Sequence, residues 1–116
     1  MDDVRWPGEW LRGVLELGVL AILDGAGAHG YAIAQQLSAA GLGQVKGGTL
    51  YPLLARLEVD GLVTASWQAG EGGPGRKVFA ITAEGRRELT RRARSWDEFT
   101  RTVSALVRPE HTLEVS

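Results

Sequence analysis

Cysteine is absent from this sequence of 116 residues, and histidine occurs only twice. The absence of cysteine excludes disulfide bonds, thiolate metal ligands and cysteine nucleophiles together. The two histidines, His29 and His111, lie far apart in the chain, and neither belongs to a metal-ligand motif. We therefore expect a protein without a metal site and without any other cofactor.

Long apolar segments are also missing. The longest apolar run, Val14 to Leu23, is interrupted by Glu16 and followed by Asp24, and no signal-peptide pattern precedes it. A membrane-spanning helix needs ~20 consecutive apolar residues, and no segment approaches that length. We expect a cytoplasmic protein that does not bind membranes.

Enzyme motifs are absent as well. Two glycine strings, starting at Gly25 and Gly70, match the spacing of the dinucleotide-binding fingerprint. That fingerprint follows a buried strand, opens a helix and is followed ~20 residues later by an acidic residue, and neither string meets these conditions. No serine, histidine and aspartate form a recognisable nucleophile motif. We expect no enzymatic activity.

The net charge of -1 argues at first against nucleic acid as a partner, because phosphate neutralisation by lysine and arginine dominates such binding. The acidic residues are unevenly placed, however. None occurs between Gly25 and Leu57, and none between Gly61 and Gly70. Charge alone favours the simpler explanation that this low-charge middle is the core, but it also allows one face free of anionic repulsion.

Apolar periodicity predicts three helices in the first half of the chain, over Glu9–Leu23, Tyr31–Ala40 and Thr49–Asp60. We expect Thr49 to be the N-cap of the third helix, with Pro52 in its first turn and Gly61 as a left-handed cap after it. Leucines at i, i+3, i+4 and i+7 predict one buried face on this helix: Leu50, Leu53, Leu54 and Leu57.

A β-hairpin and a long helix are predicted to follow. The first strand covers Val63–Gln68 and turns Val63, Ala65 and Trp67 to the core, and the second covers Lys77–Thr82. The glycine-rich residues 70–76 between them predict a flexible tip. Thr82 caps a helix to Val107 whose spacing indicates a coiled-coil seam. The residues predicted to dimerise are Leu89, Ala93, Trp96, Val103, Leu106 and Val107.

The predicted fold is mainly α with a small β-hairpin: a winged helix-turn-helix DNA-binding domain joined to a long C-terminal dimerisation helix. The first unit covers residues 1–81 and includes an N-terminal arm, and the helix covers residues 82–108. We expect residues 109–116 to form a disordered tail. In this arrangement the segment from Lys46 to Leu62 carries the DNA-reading helix, because small residues precede it and basic residues of the hairpin follow it.

Four short motifs follow one another along the chain: Gly30-Tyr31-Ala32-Ile33, Gly48-Thr49-Leu50-Tyr51-Pro52 with its continuation to Leu62, Gly73-Pro74-Gly75-Arg76-Lys77, and Thr82-Ala83-Glu84-Gly85. In this order they resemble the motifs of PadR-type transcriptional regulators, over residues 11–107. Several motifs in register are more specific than any one of them. The single C-terminal helix resembles the short subfamily. Val78 before Phe79 departs from the aromatic pair that usually follows the basic residues.

The resemblance implies a homodimeric repressor that binds an inverted-repeat operator in double-stranded DNA and is released by a small, frequently aromatic effector. Its motifs, with the small residues before the third helix, indicate the DNA-binding residues: Tyr31, Lys46, Gly48, Thr49, Tyr51, Arg76 and Lys77. Four aromatic residues are candidates for an effector cleft: Trp6, Trp10, Trp96 and Phe99.

Simpler explanations stay open for each of these residues. The two tyrosines can be core-edge packing residues, the cations can be merely solvated, and Trp96 can be ordinary seam packing. The chain as a whole can also be a winged helix of another class of regulator, a protein-interaction module, or a small-molecule-binding protein without DNA function.

Overall fold

The computed structural model describes residues 6–70 and 72–108. The expected disordered tail, His111 and the first five residues of the N-terminal arm lie outside the described residues. The predicted order of elements is confirmed, with one short strand added. The elements are α1 (Gly8–Gly25), β1 (Ala28–His29), α2 (Gly30–Leu37), α3 (Gly47–Val59), β2 (Val63–Gly70), β3 (Gly73–Ile81) and α4 (Ala83–Val107).

The core forms where the leucine face of α3 meets α1 and α2. All four leucines predicted for this face are buried. They pack in one cluster with Val19 and Leu20 of α1, Ile33 of α2 and Phe79 of β3. Because an apolar helix face is removed from water only when it packs against other elements, this cluster determines which side of α3 faces outward.

The predicted N-cap of α3 is wrong. The helix begins at Gly47, with Lys46 as the capping residue, and the N–H of Thr49 donates to the carbonyl oxygen of Lys46 at 2.9 Å. Thr49 is therefore inside the first turn. Glycine has a poor intrinsic helix propensity, but the burial of Leu50 outweighs it and extends the helix toward its N-terminus. At the other end the prediction is confirmed, since Gly61 has a φ of 77°.

The sheet has three antiparallel strands in the order β1-β3-β2. The additional strand β1 pairs Ala28 with Phe79 and His29 with Val78. The sequence pattern predicts no strand at these residues, because a strand of two residues is too short to show an alternating pattern. The consequence is that the start of α2 is attached by hydrogen bonds to the hairpin.

The hairpin of β2 and β3, called the wing from here on, is longer than predicted. The predicted flexible tip is wrong for Gly70 and for residues 73–76, because β2 extends to Gly70, β3 begins at Gly73, and these two glycines pair. A Cβ atom on Gly75 would lie 2.9 Å from the carbonyl oxygen of Gln68. Absence of a side chain therefore lets the two backbones approach closely.

The predicted burial of Trp67 is also wrong, since 72% of the residue is exposed. It lies on the same face of the sheet as Val63 and Ala65, as the alternation predicted. The strand runs past the edge of the core before it reaches Trp67, so nothing covers the indole there.

Helix α4 begins at the predicted cap. The hydroxyl oxygen of Thr82 accepts from the N–H of Gly85 at 2.9 Å, and the same hydroxyl donates to the carbonyl oxygen of Gly61 at 2.7 Å. A Cβ atom on Gly85 would lie 2.1 Å from the carbonyl oxygen of Leu62. The start of α4 is thus held tightly against the turn that ends α3. No helix within residues 6–70 and 72–108 has the length and hydropathy of a membrane span.

The buried leucine face generates a stability prediction. Leu54→Ala should lower the free energy of unfolding by about 2–5 kcal/mol, because it leaves a cavity in the core. Val59→Ala on the same helix is the matched control, since Val59 is 86% exposed and its truncation should change stability by less than about 0.5 kcal/mol. Urea denaturation of both variants at one protein concentration measures the difference. Equal effects of the two substitutions would contradict this description of α3.

Candidate nucleic-acid interface

The two helices of the helix-turn-helix unit meet at Tyr51 and Gly30. A Cβ atom on Gly30 would lie 2.3 Å from the hydroxyl oxygen of Tyr51, so the phenol ring lies directly on the first residue of α2. The rest of Tyr51 remains open, with 52% of the residue exposed. Its packing role is therefore evident, and its outer side is available to a partner.

A shallow groove runs between α2 and α3 on this side. Its volume is about 600 Å³, and Tyr31, Gln35, Gly47 and Tyr51 are among the residues that line it. No charged residue lines the groove within the described residues. Tyr31 is 67% exposed and, unlike Tyr51, reaches past the groove into solvent. The surface combines aromatic faces and hydroxyl donors without acidic repulsion.

The start of α3 lies at one end of this groove. Lys46, Gly48 and Thr49 are all exposed there, and nothing lies within 4 Å of the position that a Cβ atom on Gly48 would take. The first N–H groups of a helix have no intrahelical acceptor, and an open backbone lets an anionic oxygen approach them. The structure thus brings together five of the predicted DNA-binding residues around the two helix starts: Tyr31, Lys46, Gly48, Thr49 and Tyr51.

The two basic residues of the wing, Arg76 and Lys77, separate onto opposite faces of the sheet, because consecutive strand residues alternate. Arg76 lies on the side of α2, where Nη1 is 3.1 Å from Nε2 of His29. Lys77 lies on the side of α3, where Nζ is 3.7 Å from a carboxylate oxygen of Glu58 and 5.6 Å from the ring centroid of Phe79. Arg76 is therefore the wing cation that lies at the start of α2.

Behind this surface, Glu16 of α1 links the reading helix to the C-terminal helix. One carboxylate oxygen accepts from Arg56 of α3 at 3.4 Å, and the other accepts from Arg92 of α4 at 3.0 Å. These residues lie 40 and 76 positions from Glu16 in the sequence, so no local pattern indicates the contact. Sequence reasoning missed this network entirely.

Glu88 of α4 completes the network. Hydrogen bonds from Arg91 and then Arg92 lower the pKa of the Glu88 carboxyl group below its ordinary value of 4.5. Burial lowers the pKa of Arg92, but hydrogen bonds to Glu88 and Glu16 outweigh it and raise that pKa overall. Both pKa shifts reflect stabilisation of the charged forms of Glu88 and Arg92, whose ion pairs help to hold α4 against α1.

A second concave surface lies between α1 and α4, and we call it the aromatic cleft. Its volume is about 950 Å³, and it contains all four residues that were predicted for an effector: Trp6, Trp10, Trp96 and Phe99. The rings of Trp96 and Phe99 lie 6.1 Å apart at 45°. The indole N–H of Trp6 donates to the carbonyl oxygen of Gly41 at 2.8 Å and so fixes one end of the cleft.

The residues predicted to dimerise fall into two groups. Leu89 is half-buried and packs on the core of its own chain. Beyond it the helix leaves the core, and Leu106 is 79% exposed. The exposed members of the predicted seam are Ala93, Trp96, Val103, Leu106 and Val107.

Among the described residues there is also no group of three potential metal ligands.

Comparison with known proteins relates this architecture to one family. The model of the transcriptional regulator PadR-like family matches residues 19–91. The chain is 37% identical over 95 residues to Transcriptional regulator Rv3488 of Mycobacterium tuberculosis, which covers 82% of this chain and 87% of that protein. The similarity thus extends over most of both chains.

Solved structures give the same result. A PadR family transcriptional regulator from Eggerthella lenta is 36% identical with a TM-score of 0.79, covering 87% of this chain and 88% of that one. A PadR-like transcriptional regulator from Bacillus cereus is 33% identical with a TM-score of 0.77, covering 87% of this chain and 98% of that one. The winged-helix interpretation of the sequence is confirmed.

The network around Glu88 generates a pH prediction. Because the pKa of Glu88 is lowered in the folded state, its ion pairs stabilise the fold above the ordinary carboxyl pKa of 4.5 and are lost as pH falls through the lowered value. Glu88→Gln should therefore be less stable than the parent at about pH 7, and this deficit should shrink toward about pH 2, because protonation of the parent's carboxylate removes the same ion pairs.

Thermal unfolding at both pH values measures this difference. Asp97→Asn is the control, since it breaks the Arg101–Asp97 pair, in which both side chains are mostly exposed, and should have a smaller effect at about pH 7. A Glu88→Gln deficit that persists unchanged in acid would show that the lost stability comes from packing.

Proposed function

The chain belongs to the PadR-like family of transcriptional regulators and binds DNA, and from this premise we propose that it acts as a homodimeric repressor of an inverted-repeat operator. A small effector, bound in the aromatic cleft, releases it. The proposal divides the chain into a DNA-binding unit over residues 1–81 and a pairing helix over residues 82–108, and places the protein in the cytoplasm, where the operator is accessible.

The observation that carries the proposal is the pair of helix starts, each with a cation beside it, on surfaces to which no described residue contributes a carboxylate. Lys46 lies at the start of α3, Tyr31 lies at the start of α2, and Arg76 reaches the start of α2 from the wing. An α-helix enters the major groove by its N-terminal residues, and cations on either side neutralise phosphates. Tyr51 and Thr49 then face base edges and backbone at the groove.

Dimerisation is supported by the apolar residues that α4 exposes beyond the core. The helix has 25 residues and is therefore about 38 Å long. That length matches the separation of ~34–36 Å between successive major grooves on one face of DNA. Two copies that pair through Val103 and Leu106 cover apolar surface from both chains and place their α3 helices on two half-sites.

Effector binding is supported by the size and lining of the aromatic cleft. Small-molecule sites commonly measure ~300–1,000 Å³ and combine apolar walls with a few polar groups. The cleft falls in this range, and Glu16 and Arg92 line it together with the aromatic rings. Because Glu16 also contacts Arg56 of α3, a ligand that shifts α4 relative to α1 also shifts the reading helix.

Selection of bound duplexes from a random-sequence pool tests DNA recognition and symmetry together. We expect enriched sequences to contain two inverted half-sites about one helical turn apart, since each subunit of a dimer reads one of them. Affinity for the selected duplex should fall steeply with salt, because phosphate contacts release counterions. Enrichment of no sequence, or of a single half-site, would refute the proposed dimeric recognition.

Two variants locate the surface on that duplex. Lys46→Ala and Arg76→Ala should each weaken binding and reduce the salt dependence by about one counterion. Arg101→Ala is the matched control, because it removes the same charge from an exposed position far along α4. If Arg101→Ala weakens binding as much as the other two, net charge and not this surface accounts for the affinity.

The aromatic cleft generates a separate prediction. Trp96→Ala should weaken binding of the probe 8-anilinonaphthalene-1-sulfonate by about tenfold, because it removes one wall of the cleft. Trp67→Ala is the matched control, since Trp67 lies on the wing outside the cleft. Fluorescence titration measures both affinities, and displacement of the selected duplex by the probe measures the coupling. Unchanged probe binding in Trp96→Ala would overturn the assignment of the effector site.

A further inference from the structure

The imidazole of His29 has two hydrogen-bonding partners in the described part of the chain, and both are donors. The backbone N–H of Ala32 points at Nδ1 from 3.3 Å, which makes His29 the N-cap of α2. The guanidinium of Arg76 points at Nε2 from 3.1 Å. A neutral imidazole has one N–H and one lone pair, so it can accept from only one of these groups. The other contact is between two donors.

The two donors differ in how firmly they are held in place. Ala32 is held in place by helix α2, whose first-turn N–H groups otherwise have no acceptor in the helix. Arg76 is on the wing and has a long side chain with free rotations. If Nδ1 accepts from Ala32, the proton of the ring lies on Nε2, and Nε2–H and the guanidinium then donate toward the same space. An anionic oxygen in that space would satisfy both.

The surroundings of this space suit an anion. His29, Arg76 and Gln68 line one concave surface of about 660 Å³ on the wing, and no acidic residue lines it within the described residues. Gln68 pairs with Arg76 across the wing, so their side chains share one face of the sheet. Lys77 and Glu58, which form an ion pair, lie on the other face, so this pair does not neutralise the charge of Arg76.

We propose that His29 and Arg76 together bind one phosphate group of the DNA backbone, with Nε2–H of His29 and the guanidinium of Arg76 as donors. This inference rests on the proposed function, because the phosphate is part of the bound duplex. Since His29 belongs to the start of α2 and Arg76 to the wing, one phosphate bridges the two elements. The wing is thereby oriented relative to the groove that α3 reads.

The site also makes DNA binding depend on pH. Protonation of His29 places a proton on Nδ1, which then no longer accepts from Ala32, but the ring keeps its Nε2–H donor and gains a positive charge beside the phosphate. In the free protein the positive charge of Arg76, which faces His29 from β3, repels this added charge. Gln68 of β2, which lines the same surface, carries no charge, and Asp24 at the end of α1 is paired with Arg86. Protonation and phosphate binding therefore favour each other.

A double-mutant cycle tests the shared phosphate. The probe is a random-sequence duplex of about 24 base pairs, since phosphate contacts do not depend on sequence. His29→Asn separates the two roles of this residue, because asparagine caps a helix as well as histidine does but lacks Nε2. We expect about threefold to tenfold weaker binding in His29→Asn and in Arg76→Ala, and a double variant less impaired than the product of the two.

The pH series separates binding from a capping role. The ratio of parent to His29→Asn affinity should increase as pH falls from about 8 to about 6, over the range in which histidine becomes charged. If His29 only caps α2, protonation at Nδ1 removes the acceptor for Ala32, and the ratio stays constant or falls. If His29 instead holds Arg76 away from DNA, His29→Asn binds as tightly as the parent or more tightly. Either result would overturn the shared phosphate site.

Independent effects that multiply in the double variant would overturn it as well, because they place the two side chains on separate phosphates. Failure of the proposed function gives a different pattern, since then the parent protein itself binds no duplex and the phosphate site falls with it. Thermal midpoints of all variants, measured alongside, confirm that each one is folded at the assay temperature.

Discussion

The burial of one leucine face is the constraint on which the rest of this structure depends. Because Leu50, Leu53, Leu54 and Leu57 must all leave water, α3 has only one rotation about its axis that closes the core. That rotation turns Tyr51 outward toward the start of α2. The DNA surface is thus a consequence of core packing, and the residues that would touch DNA contribute little to the core.

Close contacts at two glycine residues then fix the positions of α2 and α4 relative to α3. Tyr51 lies on Gly30, which sets the distance between the two helices of the helix-turn-helix unit. Gly85 lies on the carbonyl group of Leu62, which sets the start of α4. Any larger residue at either glycine meets atoms that are already in contact, so these positions couple the DNA surface to α4 by sterics.

Charged residues have different partners in different regions of the molecule. Acidic residues are paired with arginine behind α3, as Glu16 is with Arg56 and Arg92. On the DNA side Arg76 and Lys46 have no acidic partner in the described residues, apart from whatever anion they bind. A chain with a net charge of -1 can therefore bind a polyanion, because attraction depends on the local surface and not on the sum.

The sequence by itself determined the order of helices, the buried leucine face, the Thr82 cap and the family, because periodicity and caps are local properties. Only the tertiary structure decided where side chains distant in sequence meet. It separated Arg76 from Lys77, exposed Trp67 beyond the core and brought His29 to Arg76 through a two-residue strand. Such contacts follow from how elements pack against one another, and spacing along a single chain carries no record of them.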